Sequence, residues 1–272
     1  MITKKYYKLI RVSHADEGYF YIKNVSNEVG EFKIKNYTSG TMEYSLDGVT
    51  WTSYNLSTKP SVSVNPGSNI YLRGTGFKDD SEYDVLDFNK DYNVGGNFMS
   101  LSNYSTMSSV SSISSTNIIK TALANQTHLI SAQDLNFGNV NSVGDYCLAG
   151  IFRYCTALTT TPDFSNITSV GEYGFASTFE GTTSLTSGPD FSNITVAGSG
   201  CFAACFGGYT HISNVTTPNI QDLTQNSVLN NWLYNNAGTQ ATGTKVVNVP
   251  TGATITTDSP SGIPTGWTRV DY

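Results

Sequence analysis

The chain has 272 residues, enough for one large domain or two ordinary ones, and only 13% of them are charged. A net charge of −6 with no basic run longer than Lys4-Lys5 gives no support to nucleic acid as a partner, and no stretch approaches the ~18 apolar residues of a membrane span. Ser, Thr, Asn, Tyr and Gly are abundant instead, so hydroxyls and amides keep the surface wet, as in β-rich proteins that work outside cells.

The first segment to stand out is Lys4, Lys5, Tyr6, Tyr7 and Lys8, an amphipathic run with strand alternation at the free end. An exposed edge strand of this kind invites pairing with another chain, which makes these five residues the candidate docking site on a parent assembly. The structural alternative is one more strand of the sheet that follows. Met1 leads into Ile-Thr-Lys-Lys with no apolar signal region, so the chain is expected to carry no export signal of its own.

Up to about residue 78 the pattern has a period of two. Phe20 and Ile22, Phe32 and Ile34, Met42, Tyr44 and Leu46, Val62 and Val64, and Ile70 and Leu72 alternate with polar neighbours. Turn signals such as Asp47-Gly48 and Asn65-Pro66-Gly67 separate them. Residues 1–78 therefore read as an Ig-like β-sandwich in the broad sense, with Trp51 covering one end of its core. Residues 79–118 read as an acidic junction followed by a Ser-rich cap in which Met107, Val110 and Ile113 face a core. Asp79, Asp80, Glu82, Asp84, Asp87 and Asp91 raise the question of calcium. Their spacing lacks the central Gly and terminal Glu of an EF-hand, which favours a solvated connector.

From 119 to 240 the chain repeats. Residues 162–168 and 189–195 are both Pro-Asp-Phe-Ser-Asn-Ile-Thr. At the same 27-residue spacing Leu158, Leu185 and Ile212 form one apolar column, and Phe152, Phe179, Phe206 and Leu233 form a second. Leu148, Phe175, Phe202 and Leu229 form a third. Such a period predicts a solenoid, because one unit buries too little apolar surface alone whereas stacked units share a core. Each unit is expected to carry a strand near 157–161 ended by Pro162, then a turn permitted by Gly171. A short helix over 172–179, with Phe175 and Phe179 at i, i+4, completes it. Residues 241–272 read as a closing cap of strands with a Trp267 cover. The predicted fold class is β-rich α+β, a sandwich followed by a short solenoid of strand-plus-helix units.

No catalytic, cofactor or metal site is predicted. Cys147 and Cys201 stand two units apart, roughly 10 Å at ~4.8 Å per rung and too far for a disulfide. Cys201 and Cys205, at i, i+4 on the expected helix, read as small buried hydrophobes. His128 and His211 lie three units apart, and with His14 they build no Cys–His or Ser–His–Asp set. Asp163 and Asp190 resemble an acid–base pair, but repetition at one position in adjacent units points to a turn cap. Gly95-Gly96 lacks any phosphate-binding frame.

The unit, with Leu158-x-x-x-Pro162, Val170-Gly171-x-Tyr173-x-Phe175 and Phe179 to Leu185, resembles the BspA-type leucine-rich repeat over roughly residues 120–240. Tyr154-Cys155-Thr156-x-Leu158 keeps the family's more usual cysteine, where the next unit has Thr182. The flanks are similar too: Glu43-Tyr44-Ser45-Leu46-Asp47-Gly48 with Trp51, Tyr92-Asn93-Val94-Gly95-Gly96, and Gly262-Ile263-Pro264-Thr265-Gly266-Trp267. The resemblance implies a surface or virion protein of gut Bacteroidales or their crAss-like phages, implicated in adhesion. The expected lack of an export signal favours the virion. The function expected is that of a non-enzymatic virion component, as capsid decoration, head fibre or tail adhesin, docking by its N-terminal domain and displaying the solenoid for host or mucosal adhesion. Its partners would be other virion structural proteins and a bacterial surface glycan or protein, in a multimeric assembly. The alternative is a bacterial cell-surface lectin or glycan-active protein with the sandwich as carbohydrate-binding module.

Overall fold

The computed structural model describes residues 18–35, 39–78, 85–114, 120–208, 211–235 and 237–272. They form a β-rich molecule with several sheets and little helix. Strands β1 (Phe20–Asn24), β2 (Gly30–Ile34), β3 (Ser39–Ser45), β4 (Thr52–Ser53), β5 (Val62–Val64), β6 (Asn69–Lys78), β7 (Leu86–Phe88) and β8 (Tyr92–Asn97) come first. The helical turn α1 (Ser100–Asn103) and strands β9 (Ser112–Ile113) and β10 (Leu129–Asn136) follow. One sheet has the order β10-β8-β1-β6-β3-β4 and a second β5-β2-β7. Alternation decides which side chains face inward: Phe20, Ile22, Ile70 and Leu72 of the first sheet and Phe32, Ile34, Val62 and Val64 of the second are buried. Leu46 departs from the expected alternation. It lies just past β3 and is 53% exposed, because the chain turns there through Asp47, whose Oδ1 accepts the Val49 and Thr50 amides. Trp51 is half-buried with the Arg73 guanidinium 4.0 Å over its ring.

Residues 85–97, read from the sequence as part of an acidic junction, instead supply β7 to one sheet and β8 to the other. Their carboxylates face outward, where Asp87 pairs with Lys35 at 2.8 Å and Asp91 with His128 at 3.0 Å. Density of acids hid the alternating Leu86, Phe88, Tyr92 and Val94. Through β8 the sheet continues into the repeats, since β8 pairs in parallel with β10.

Strands β11 (Ser142–Val143), β12 (Ser169–Val170) and β13 (Val196–Ala197) stack with β9 in a parallel ladder, and from β11 to β13 the paired positions recur at the sequence period. Beyond it β14 (Asn214–Thr216), β15 (Lys245–Val249) and β16 (Trp267–Asp271) form a closing parallel sheet. All three apolar columns read from the sequence are buried. Phe152, Phe179 and Phe206 stack ring on ring at 5.6 Å and 7°, and Phe175 lies on Phe202 at 5.6 Å and 11°.

The seven-residue repeat has structural roles at its Asp, Phe, Asn, Ile and Thr positions. Asp163 and Asp190 each accept the backbone N–H two residues on at 2.8 Å, and Phe164, Ile167, Phe191 and Ile194 fill the core. Asn193 Nδ2 donates to Ser165 O of the preceding rung at 2.8 Å, and the Thr195 amide donates to Thr168 O.

Two details of the unit differ from the expectation. The regular strand lies at 169–170 rather than 157–161, where a single bridge joins Thr160 to Ser131. The helix over 172–179 is a run of turns, so Cys201 and Cys205 are not helical either. Its amides alternate: Ala176, Thr178 and Glu180 donate three residues back, while Phe175, Ser177 and Phe179 donate to Cys201, Ala203 and Cys205 of the next rung. A left-handed residue recurs every fourth position, at Tyr173, Ser177 and Gly181, and again at Gly200, Ala204 and Gly208. A four-residue turn repeat puts i and i+4 on one face just as a helix does, so the phenylalanine spacing fits both. The next rung's carbonyls decide between them.

Candidate functional site

The turn runs carry on their outer side the most distinctive polar surface of the repeats. Tyr146 is 46% exposed and its ring lies on that of Tyr173 at 5.1 Å and 21°. Both tyrosines are left-handed, at φ 59° and 51°, a conformation that costs a side-chain-bearing residue about 1–2 kcal/mol. Glycines at the matching positions of the next rung make room for the rings. A Cβ on Gly200 would stand 2.6 Å from the Tyr173 ring, and one on Gly181 would collide with Tyr154.

Beside this ladder sits a charged knot. Glu180 is almost fully buried, and its Oε1 accepts from Tyr234 Oη at 2.6 Å and from Tyr154 Oη and Arg153 Nη2 at 3.3 Å. Arg153 Nε approaches Oε2 at 2.9 Å with its N–H aimed off the hydrogen-bond axis. The guanidinium also lies 4.8 Å over the Tyr154 ring. Burial pushes the Glu180 carboxyl up, but hydrogen bonds from Tyr234, Ser177 and Arg153 together with the Arg153 charge outweigh it, and the group is held below its ordinary value. Burial beside that carboxylate raises Tyr234 to about 12. A carboxylate held ionised in this way is a structural anchor rather than a proton donor.

Because its folded pKa is lowered, Glu180 adds stability that is present above its unfolded pKa and lost as pH falls through the folded one. Glu180→Gln is expected to cost about 2 kcal/mol at neutral pH. It should also flatten the fall in urea midpoint on acidification below the normal glutamate range, relative to the parent chain.

The other chemistry-bearing residues lie apart. Burial raises the thiols of Cys147, Cys155 and Cys201 to about 11, 12 and 12, and that of Cys205 well above its ordinary value, so all four are poor nucleophiles. His211 Nδ1 meets the Thr183 carbonyl at 2.6 Å, and His128 faces Asp91. Among the described residues no three His, Cys, Asp or Glu side chains gather for a metal. The docking candidates Lys4, Lys5, Tyr6, Tyr7 and Lys8 lie outside the described residues, as do His14, Asp79, Asp80, Glu82 and Asp84.

The tyrosine ladder and the Glu180 knot were not singled out from the sequence, although a signal was present. Arg153 and Glu180 are separated by 27 residues, so the period places them on adjacent rungs. Tyr234 stands two rungs from Glu180 and reaches it across Gly207 of the rung between, where a side chain would collide with its ring. No family model, curated protein or solved structure matches this chain.

Proposed function

We propose that this chain is a non-enzymatic adhesion protein displayed on a phage virion, its two-sheet half an Ig-like sandwich and its rungs a BspA-type leucine-rich-repeat solenoid. The observation that carries the reading is the tyrosine ladder. An exposed ring, Tyr146, pre-stacked on the half-buried Tyr173 in a surface of hydroxyls and amides can bind other surfaces weakly without demanding charge complementarity. Weak single contacts suffice when many copies act together, since linked sites gain ~10²–10⁴ in avidity.

The two halves differ in charge in a way that suits this arrangement. Residues 100–272 hold four of the 15 basic and nine of the 21 acidic residues, a net of −5, which leaves residues 1–99 nearly neutral. In this reading the sandwich docks on other virion proteins through Lys4, Lys5, Tyr6, Tyr7 and Lys8, and the rungs project outward. Deleting residues 1–8 is expected to yield a soluble, folded protein that no longer enters particles. Normal incorporation of the shortened chain would refute the docking role, and absence of the chain from purified particles by mass spectrometry would move it to a bacterial cell surface.

A further inference from the structure

A recess of about 310 Å³ opens beside the tyrosine ladder, near the ~300 Å³ lower end of ligand clefts and so suited to one ring rather than a long polymer. It spans three successive rungs, with Lys120 from the first, Tyr146, Gly150 and Arg153 from the second, and Ser177 from the third. We propose that this recess binds an acidic pyranose, a sugar ring bearing a carboxylate, with the ring on Tyr146 and the carboxylate at Lys120.

The charge distribution points to an anion. Two of the four cations in residues 100–272 line this one recess, in a stretch that is otherwise acidic. Arg153 is neutralised by Glu180, while no carboxylate of the described residues forms an ion pair with Lys120, so Lys120 is the cation the lining offers; the Asp145 and Glu172 carboxylates act on Tyr146 from outside the lining. The shape points to a sugar. Tyr146 stacks on Tyr173 and is 46% exposed where it lines the recess, a pre-positioned platform for the C–H face of a pyranose. The floor at Gly150 is small, and Ser177, whose hydroxyl donates to Glu180, keeps its oxygen as an acceptor at the far side of the lining.

An acidic peptide fits less well. Extended peptides are held through free backbone groups of an edge, and the amides here are already spent: Gly150 donates to Ala176 O at 2.8 Å and Ala149 to Tyr146 O at 3.2 Å.

This inference rests on the adhesion reading for its purpose but has its own test. The full chain is titrated with methyl glucuronoside and with methyl glucoside, which differ in the carboxylate, by ligand-observed NMR. The glucuronoside is expected to bind about tenfold more tightly. Lys120→Gln should erase that difference, and Tyr146→Asn, which keeps a residue tolerant of the left-handed backbone, should weaken both sugars. Equal affinity for the two sugars, or an unchanged preference in the Lys120→Gln chain, would overturn the proposal. So would competition by an aspartate-rich peptide at equal or higher affinity. Particles that adhere to mucin although the glucuronoside does not bind would refute the recess and leave adhesion standing. Glucuronoside binding without particle adhesion would do the reverse.

Discussion

Replacing Phe179 with alanine is expected to destabilise the chain by about 3–5 kcal/mol, the upper range for a single core truncation. The ring is fully buried, sandwiched between Phe152 and Phe206 at 5.6 Å on either side, and it meets Phe164 edge-on at 6.4 Å. No neighbour can move in to fill the gap, because each is fixed by its own rung. In a stack of rungs that contact chiefly their neighbours, losing the central ring also uncouples the rungs on both sides. The test is urea unfolding followed by tryptophan fluorescence in a chain whose Trp51 and Trp267 are replaced by Phe, leaving Trp232, packed on Phe206 at 5.8 Å, as the reporter. It should show a lower midpoint and a shallower transition than the same background with Phe179 intact. An unchanged midpoint would mean that the phenylalanine column is not what holds the rungs together.

Gly198→Ala is expected to cost about 3 kcal/mol, through overpacking rather than a cavity. Gly144, Gly171 and Gly198 recur at the repeat period, and at each the backbone of the preceding rung comes too close for a side chain. A Cβ on Gly198 would lie 2.5 Å from Glu172 N and 2.6 Å from Gly171 C. These are backbone atoms, so no rotamer change relieves the clash and the rungs must separate. The sequence suggested a different role, since Gly171 reads as a turn glycine; its φ is not left-handed, and close approach is what requires it. Gly67→Ala is the control. Its φ is +73° with nothing within 4 Å of the added carbon, so it should lose only the about 1 kcal/mol of a left-handed alanine. Equal losses at both positions in thermal unfolding would refute the close-packing account.

The repeated Asp163 and Asp190 show how a sequence can offer chemistry that the fold uses otherwise. As a pair they have the residue type of a general acid and base. Each is occupied by the amide two residues on, at the same place in successive rungs. The recess at Lys120 and Tyr146 is the opposite case. These residues share no motif and lie nearly a full repeat apart in the chain, so only the stacking of rungs brings them together.

Burial and periodicity were legible in the chain alone. Apolar alternation marked β1, β2, β5 and β6, and the 27-residue period marked the three apolar columns. Both follow from the need to bury side chains at a regular geometric interval, and that need is written in residue type. The backbone between those side chains was settled only by packing in three dimensions. Spacing at i, i+4 suits a helix and a run of four-residue turns equally. The turns prevail because carbonyls of the next rung take every second amide, partners almost a whole repeat away that no local window contains. For the same reason β8 escaped the sequence reading. Its place in the sheet depends on pairing with β1, near the start of the chain, and with β10, inside the repeats, and such long-range pairing leaves no trace in the segment's own charge.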